Sequence, residues 1–111
     1  MLLAEVVSRV GGRLITGDAA TPVAGAYASD LLSDVMGHCG EGAVLITIQN
    51  HLNTLAVATL AGIVAIVLCH DRPVPEDLAA AAAREGVALV VTPLAQFAAC
   101  VALRDLPPAG K

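Results

Sequence analysis

GAVLITIQNHLNTLAVATLAGIVAIVLC, running from Gly42 to Cys69, is the stretch on which the fold turns. It contains no Asp, Glu, Lys or Arg, and its later part, Leu52–Cys69, has the length and apolarity at which a bilayer-spanning helix becomes a candidate. Three features argue against a span. Gln49-Asn50-His51 lies just upstream, and Asn53-Thr54 interrupts the apolar run; both are polar clusters of loop and helix-cap type. Gly62 then separates an Ala- and Leu-rich half from a β-branched half, Ile63-Val64-Ala65-Ile66-Val67. A helix followed by a buried strand accounts for that change of texture, whereas one continuous helix does not. The segment therefore reads as strand Ala43–Ile48, a helix capped by Asn53 or Thr54 and running through Ala61, and strand Ile63–Leu68.

Working outward, the same alternation continues. Asp71-Arg72-Pro73 makes a loop, and Pro75, with Glu76 and Asp77 behind it, opens a helix over Glu76–Glu85. Gly86 ends that helix, Val87–Val91 is a strand, and Pro93 opens a last helix to about Leu103. Upstream, Leu2, Leu3, Val6, Val7 and Val10 repeat at helical spacing and stop at Gly11-Gly12. Arg13-Leu14-Ile15 is a short strand, Thr16-Gly17-Asp18 a turn, and Val23–Ala28 a strand. Ser29 and Asp30 are good caps for a short helix, Leu31–Gly37. Strands that alternate with helices and read as unbroken apolar runs predict an α/β fold: a mostly parallel sheet with helices on both faces. The chain, at 11.1 kDa, has room for one core. Residues 1–106 form a single domain, and Pro107-Pro108 begins a flexible tail, 107–111.

Composition narrows the function classes. Hydrophobic residues make up 57% and charged residues 14%, the reverse of a disordered chain. With one Tyr, one Phe and no Trp, Ala, Val, Leu and Ile must fill the core. So much apolar surface on a small domain predicts burial against a partner, most simply a second copy. Net charge is −4 with no basic run, so phosphate neutralisation on nucleic acid is not expected. Cys39, Cys69 and Cys100 form no CxxC pair, and MLLAEVV is not a signal-peptide start; a cytoplasmic protein without a disulfide framework is expected.

In a parallel sheet, ligands gather off the carboxyl ends of the strands. Ser29 and Asp30, Asn50 and His51, Cys69 and His70, and Thr92 all fall there, as do Gln49 and Asp71. The helices that follow would aim their N-termini at the same edge, which suits an anion. His51 is the first choice for a ligand contact, with Asn50 beside it. The competing reading is that strand ends are polar because exposed backbone groups need partners. His38, Cys39, His51, Cys69 and His70 come from three loops with no CxxC or HxxxH spacing, so no metal site is expected. Ser29 lacks a G-x-S-x-G elbow, and Cys39 beside His38 lacks a third group. Gly11-Gly12, Gly37 and Gly40-x-Gly42 fit neither phosphate-loop spacing. Asp30 and Asp34, four apart, are a capped and solvated helix face before they are a catalytic pair. No catalytic residue and no cofactor are expected.

Four stretches nevertheless resemble one family. Gly25-Ala-Tyr-Ala-Ser-Asp-Leu-Leu-Ser-Asp-Val-Met36, Gly42-Ala-Val-Leu-Ile-Thr-Ile-Gln-Asn-His51, Ala61-Gly-Ile-Val-Ala-Ile-Val-Leu68 and Glu85-Gly-Val-Ala-Leu-Val-Val-Thr-Pro93 are similar, in texture and order, to DRTGG domains. The likeness covers about Val6 to Leu103, with SDLLSDVM and TIQNHLN closest to the small stand-alone members. It implies an accessory module of the kind found in CBS-domain pyrophosphatases and some phosphotransacetylases, similar also to the N-terminal domains of HPr kinase/phosphorylase and Mur ligases. Such domains tend to dimerise and leave chemistry to other domains, and stand-alone versions accompany hydrogenase-type iron–sulfur enzymes. The naming motif is not kept: Gln49-Asn50-His51 stands where Asp-Arg is expected, and Leu68-Cys69-His70 where Thr-Gly-Gly is expected. Two function classes follow. One is a non-catalytic, dimeric regulatory or assembly module with a redox or metabolic enzyme as partner. The other is a small-ligand sensor for an anion or nucleotide, or a metal-binding carrier, built on the strand-end edge.

Overall fold

A computed structural model describes all of residues 1–111. Its elements are α1 (Leu3–Arg9), β1 (Arg13–Thr16), β2 (Gly25–Ala28), α2 (Leu32–His38), β3 (Ala43–Thr47), α3 (Leu52–Ala61), β4 (Ala65–Leu68), α4 (Glu76–Glu85), β5 (Ala88–Val91) and α5 (Gln96–Ala102). The five strands form one sheet in the order β1-β5-β4-β3-β2. β2 through β5 are mutually parallel neighbours, and only β1 runs antiparallel, against β5. Leu52–Cys69 divides into α3 and β4 as its texture predicts, and no helix is long and apolar enough to cross a membrane.

The apolar strand runs follow from the layering. Side chains of a strand alternate between the two faces. Leu45, Ile66, Leu68, Leu89 and Val91 enter one core, with Val35 of α2, Leu55 and Ala58 of α3, and Leu78 and Ala82 of α4. Val44, Ile46, Val67, Ala88 and Val90 enter the other, with Leu3 and Val6 of α1 and Ala99 of α5. Both faces are buried, so neither half of a strand has to be polar. The chain steps from β2 to β5 in one direction, and right-handed crossovers that all step one way place their helices on one face. That leaves α1 and α5 to cover the other. At the end of α3, Gly62 takes the left-handed conformation (φ 73°) and returns its N–H to Ala58 and Thr59, the geometry that a glycine cap adopts without a Cβ penalty.

Several boundaries differ from the sequence reading: β1 takes in Thr16, and β2, β4 and β5 begin at Gly25, Ala65 and Ala88. Leu31, not Ser29 or Asp30, is the residue before α2, and it caps nothing with its side chain. His51 precedes α3, again without a side-chain cap, while Thr54 turns its hydroxyl back to the Gln49 carbonyl at 2.9 Å. Pro93 does not open α5, which starts at Gln96. His70 N–H donates to the Leu94 carbonyl (3.0 Å) and Leu94 N–H to Thr92 Oγ1 (3.2 Å), and these bonds hold residues 93–95 out of the helix. The C-terminal residues, expected to be a flexible tail, are tied to the edge of the sheet. Ala26 N–H donates to Pro107, Ala109 N–H to Ala26, Gly40 N–H to Ala109 and Lys111 N–H to His38.

Candidate functional site

The carboxyl ends of β2–β5 do meet on one rim, and Asp30 is its hub. Asp30 Oδ1 accepts three hydrogen bonds: from Thr47 Oγ1 (2.9 Å), from Ile48 N–H (2.9 Å) and from Gln96 Nε2 (3.0 Å). Its main-chain carbonyl accepts a fourth, from Gln49 Nε2 at 2.9 Å. The chain has two glutamines, and both are committed to this one residue. The carboxylate thereby ties the end of β2 to β3 and to the first turn of α5. A carboxylate that accepts several donors in this way is a structural fastener, worth more than neutral hydrogen bonds because the acceptor is charged.

The other expected site residues are placed as follows. Thr92 is buried, donating to the Val10 carbonyl at 2.6 Å and so closing β5 onto the end of α1. Asn50 Nδ2 donates to the Pro73 carbonyl at 2.8 Å, joining the loop before α3 to the loop before α4. Ser29 Oγ accepts from Leu31 N–H at 3.2 Å, a local turn. Cys69 is buried on the α1/α5 side, and burial pushes its thiol up to about 11, with smaller contributions from Cys100 and Asp30. At neutral pH it carries its proton and is not a nucleophile. His51 and His70 are the two expected site residues that are exposed. His70 and Asp71 both have positive φ (62° and 51°), held by Asp71 N–H to the Thr92 carbonyl at 2.9 Å and by the bond from His70 to Leu94. No hydrogen bond joins any two of Ser29, Asp30, Asn50, His51, Cys69, His70 and Thr92: Ser29, Asp30, Asn50 and Thr92 each bond elsewhere in the chain, and the His51 and His70 rings bond to nothing within it.

Gln49 was placed on this edge by the sequence, whereas Thr47 and Gln96 belong to the network without having been singled out. Thr47 reads as one more strand residue, and Gln96 lies 66 positions from Asp30, a separation no local pattern bridges. The one available signal was the scarcity of glutamine in an apolar chain. Asp34 forms a separate cluster on α2: Tyr27 Oη donates to Asp34 Oδ2 at 2.7 Å, and His38 Nδ1 lies 3.1 Å from Oδ1. The hydrogen bond from Tyr27 is the main cause that holds the Asp34 carboxyl below its ordinary range. Asp30 and Asp34 thus serve different partners. No group of three or more His, Cys, Asp or Glu side chains converges on a common point.

Concave surface lies elsewhere. One groove, of about 220 Å³, runs between β2 and α5 and is lined by Ala26, Ala28, Ile46, Cys100, Leu103 and Leu106, with Arg104 its one charged residue. A second, of about 330 Å³, lies between α3 and α4 beside Leu52 and Leu60. Neither is lined by a residue of the strand-end rim.

No protein-family model matches the sequence, and no curated protein matches it significantly. The structure does match a solved one. Its fold superposes, at a TM-score of 0.77 and 12% identity, on the CBS and DRTGG domains of the regulatory region of Clostridium perfringens pyrophosphatase, complexed with the activator diadenosine tetraphosphate. The match covers 96% of this chain and 47% of that one, so the chain spans about half the length of its structural neighbour. At that identity the likeness is one of fold: the domain is DRTGG-like.

Proposed function

We propose that this chain is a non-catalytic regulatory or assembly module that works as a cytoplasmic dimer, a stand-alone relative of DRTGG domains. Its working partner is a metabolic enzyme, of which a hydrogenase-type iron–sulfur enzyme is the first candidate. The observation that carries the reading is the fate of the strand-end rim. The groups that would do chemistry are engaged with the protein itself: Asp30 with three donors, Thr92 with Val10, Cys69 protonated in the core. A DRTGG-like fold shared with the regulatory part of an enzyme supports the same direction. Light scattering, metal analysis and absorbance on the purified chain test it together. A colourless, metal-free dimer is expected; stoichiometric iron or zinc, or a monomer at every concentration, contradicts it.

A second reading has its own support: the neighbouring regulatory region is complexed with a dinucleotide, and His51 and His70 are free on the rim. Titration with diadenosine tetraphosphate separates the two readings. Binding that is lost in His51→Ala, with the melting temperature unchanged, establishes a ligand sensor. Absence of binding leaves association as the function.

A further inference from the structure

We infer that the second copy in this dimer docks through α5, each copy seating Phe97 over the β2/α5 groove of the other around a two-fold axis. The inference rests on the dimeric reading above and assigns it a surface. Phe97 is 81% exposed and Val101 44% exposed, although the chain has a single Phe to place. Phe97, Cys100, Val101 and Arg104 recur at three- and four-residue spacing, so they form one stripe along α5. Cys100 and Arg104 also line the groove, so the protruding ring and the concave slot belong to one face.

The groove lies where the β2 edge of the sheet meets α5. Small side chains, Ala26 and Ala28, floor it. A knob and a hole on one surface satisfy each other reciprocally only in an isologous pair. Here the knob is at the start of α5 and the hole toward its end. Antiparallel packing of α5 on α5, about a point between Cys100 and Val101, brings each Phe97 to the other copy's Arg104.

Charge agrees with this register. Arg104 is the only charged residue of the groove, and its guanidinium meets an aromatic face. Asp30, fastened to Gln96 at the other end of α5, keeps an Oδ2 that takes no hydrogen bond within the chain. The two-fold carries Arg104 of each copy toward Asp30 of the other. Arg104 at the end of one helix therefore lies against Asp30 at the start of its mate.

Sedimentation equilibrium on the full chain tests this. The wild type is expected at twice 11.1 kDa. Phe97→Asp, or the milder Phe97→Ser, is expected to raise the dissociation constant by roughly a hundredfold or more, and to keep the urea midpoint of the wild type measured at concentrations where it is monomeric, because Phe97 is exposed within one chain. Arg104→Glu is expected to weaken the dimer as well, and Leu60→Asp, on the α3 surface, to leave it intact. A dimer that survives Phe97→Asp, survives Arg104→Glu unweakened, or is lost in Leu60→Asp overturns the α5 interface while leaving the dimeric reading standing. A wild-type monomer overturns both.

Discussion

Asp30 shows how a residue with the right address can have the wrong occupation. Its position after a strand is what marks a ligand contact in a parallel sheet, and the address was readable from Ser29-Asp30 alone. Its occupation was not, because it depends on Gln49 and Gln96 arriving from β3 and α5. The substitutions Asp30→Ala and His51→Ala should therefore diverge. Removing the carboxylate strands three donors, Thr47 at the end of β3, Ile48 just after it and Gln96 on α5, and is expected to cost about 2–4 kcal/mol in urea unfolding. His51→Ala removes an exposed ring with no side-chain bond and should lie within about 0.5 kcal/mol of wild type. Equal effects would return Asp30 to the ligand-binding candidates. The thiols make a second test at this scale. Burial raises Cys39, Cys69 and Cys100 alike, so native protein at neutral pH should react slowly with a thiol reagent. Half-buried Cys100 should react first, and Cys39 and Cys69 only on unfolding. The sign with pH follows. A thiol raised from 9.0 to about 11 holds its proton longer folded than unfolded, so its contribution is intact below pH 9 and is lost as pH rises toward 11.

Elements were legible where one physical cause sufficed. The Gly62 break, the Pro75 start and the apolar runs of β3, β4 and β5 each needed only local chemistry, and α4 fell on Glu76–Glu85 as read. Where a remote contact decides, the sequence is silent. Pro107-Pro108 argues against a strand, yet the pairing on β2 uses only the carbonyl of Pro107 and the N–H of Ala109, groups a proline-containing edge can still supply. Deleting 107–111 should speed amide exchange at Ala26 and Gly40 and lower stability by about 1–2 kcal/mol; unchanged exchange at both would mean the tail is not bonded along β2 as described. Two glycines make a sharper pair. A Cβ on Gly17 would lie 2.4 Å from the Ala88 Cβ, at φ 119°, so Gly17→Ala must push β1 off β5 and is expected to destabilise by about 2 kcal/mol or more. Gly37, inside α2 with open space around it, should gain about 0.5–1 kcal/mol on replacement by Ala. Chemical denaturation of the two variants side by side reads both signs.

At the scale of the whole molecule, the apolar excess has two destinations. Most of it fills two cores on either side of the sheet. The remainder stands on the surface at Leu2, Ile15, Leu31, Leu52, Leu60, Phe97 and Val101, and composition alone could say that such a remainder existed but not where. The polar residues show the converse: their convergence on one edge was legible, and their mutual indifference was not. Function by association, rather than by chemistry at the rim, is the claim that joins these facts. Amide NMR of the labelled wild-type chain, followed by dilution from millimolar to micromolar, tests it most directly. The expected result is a concentration-dependent shift confined to Gln96–Arg104, Ala26–Ala28 and Asp30, with Asn50, His51 and His70 unmoved. A spectrum of monomer linewidth that is the same at every concentration would contradict it.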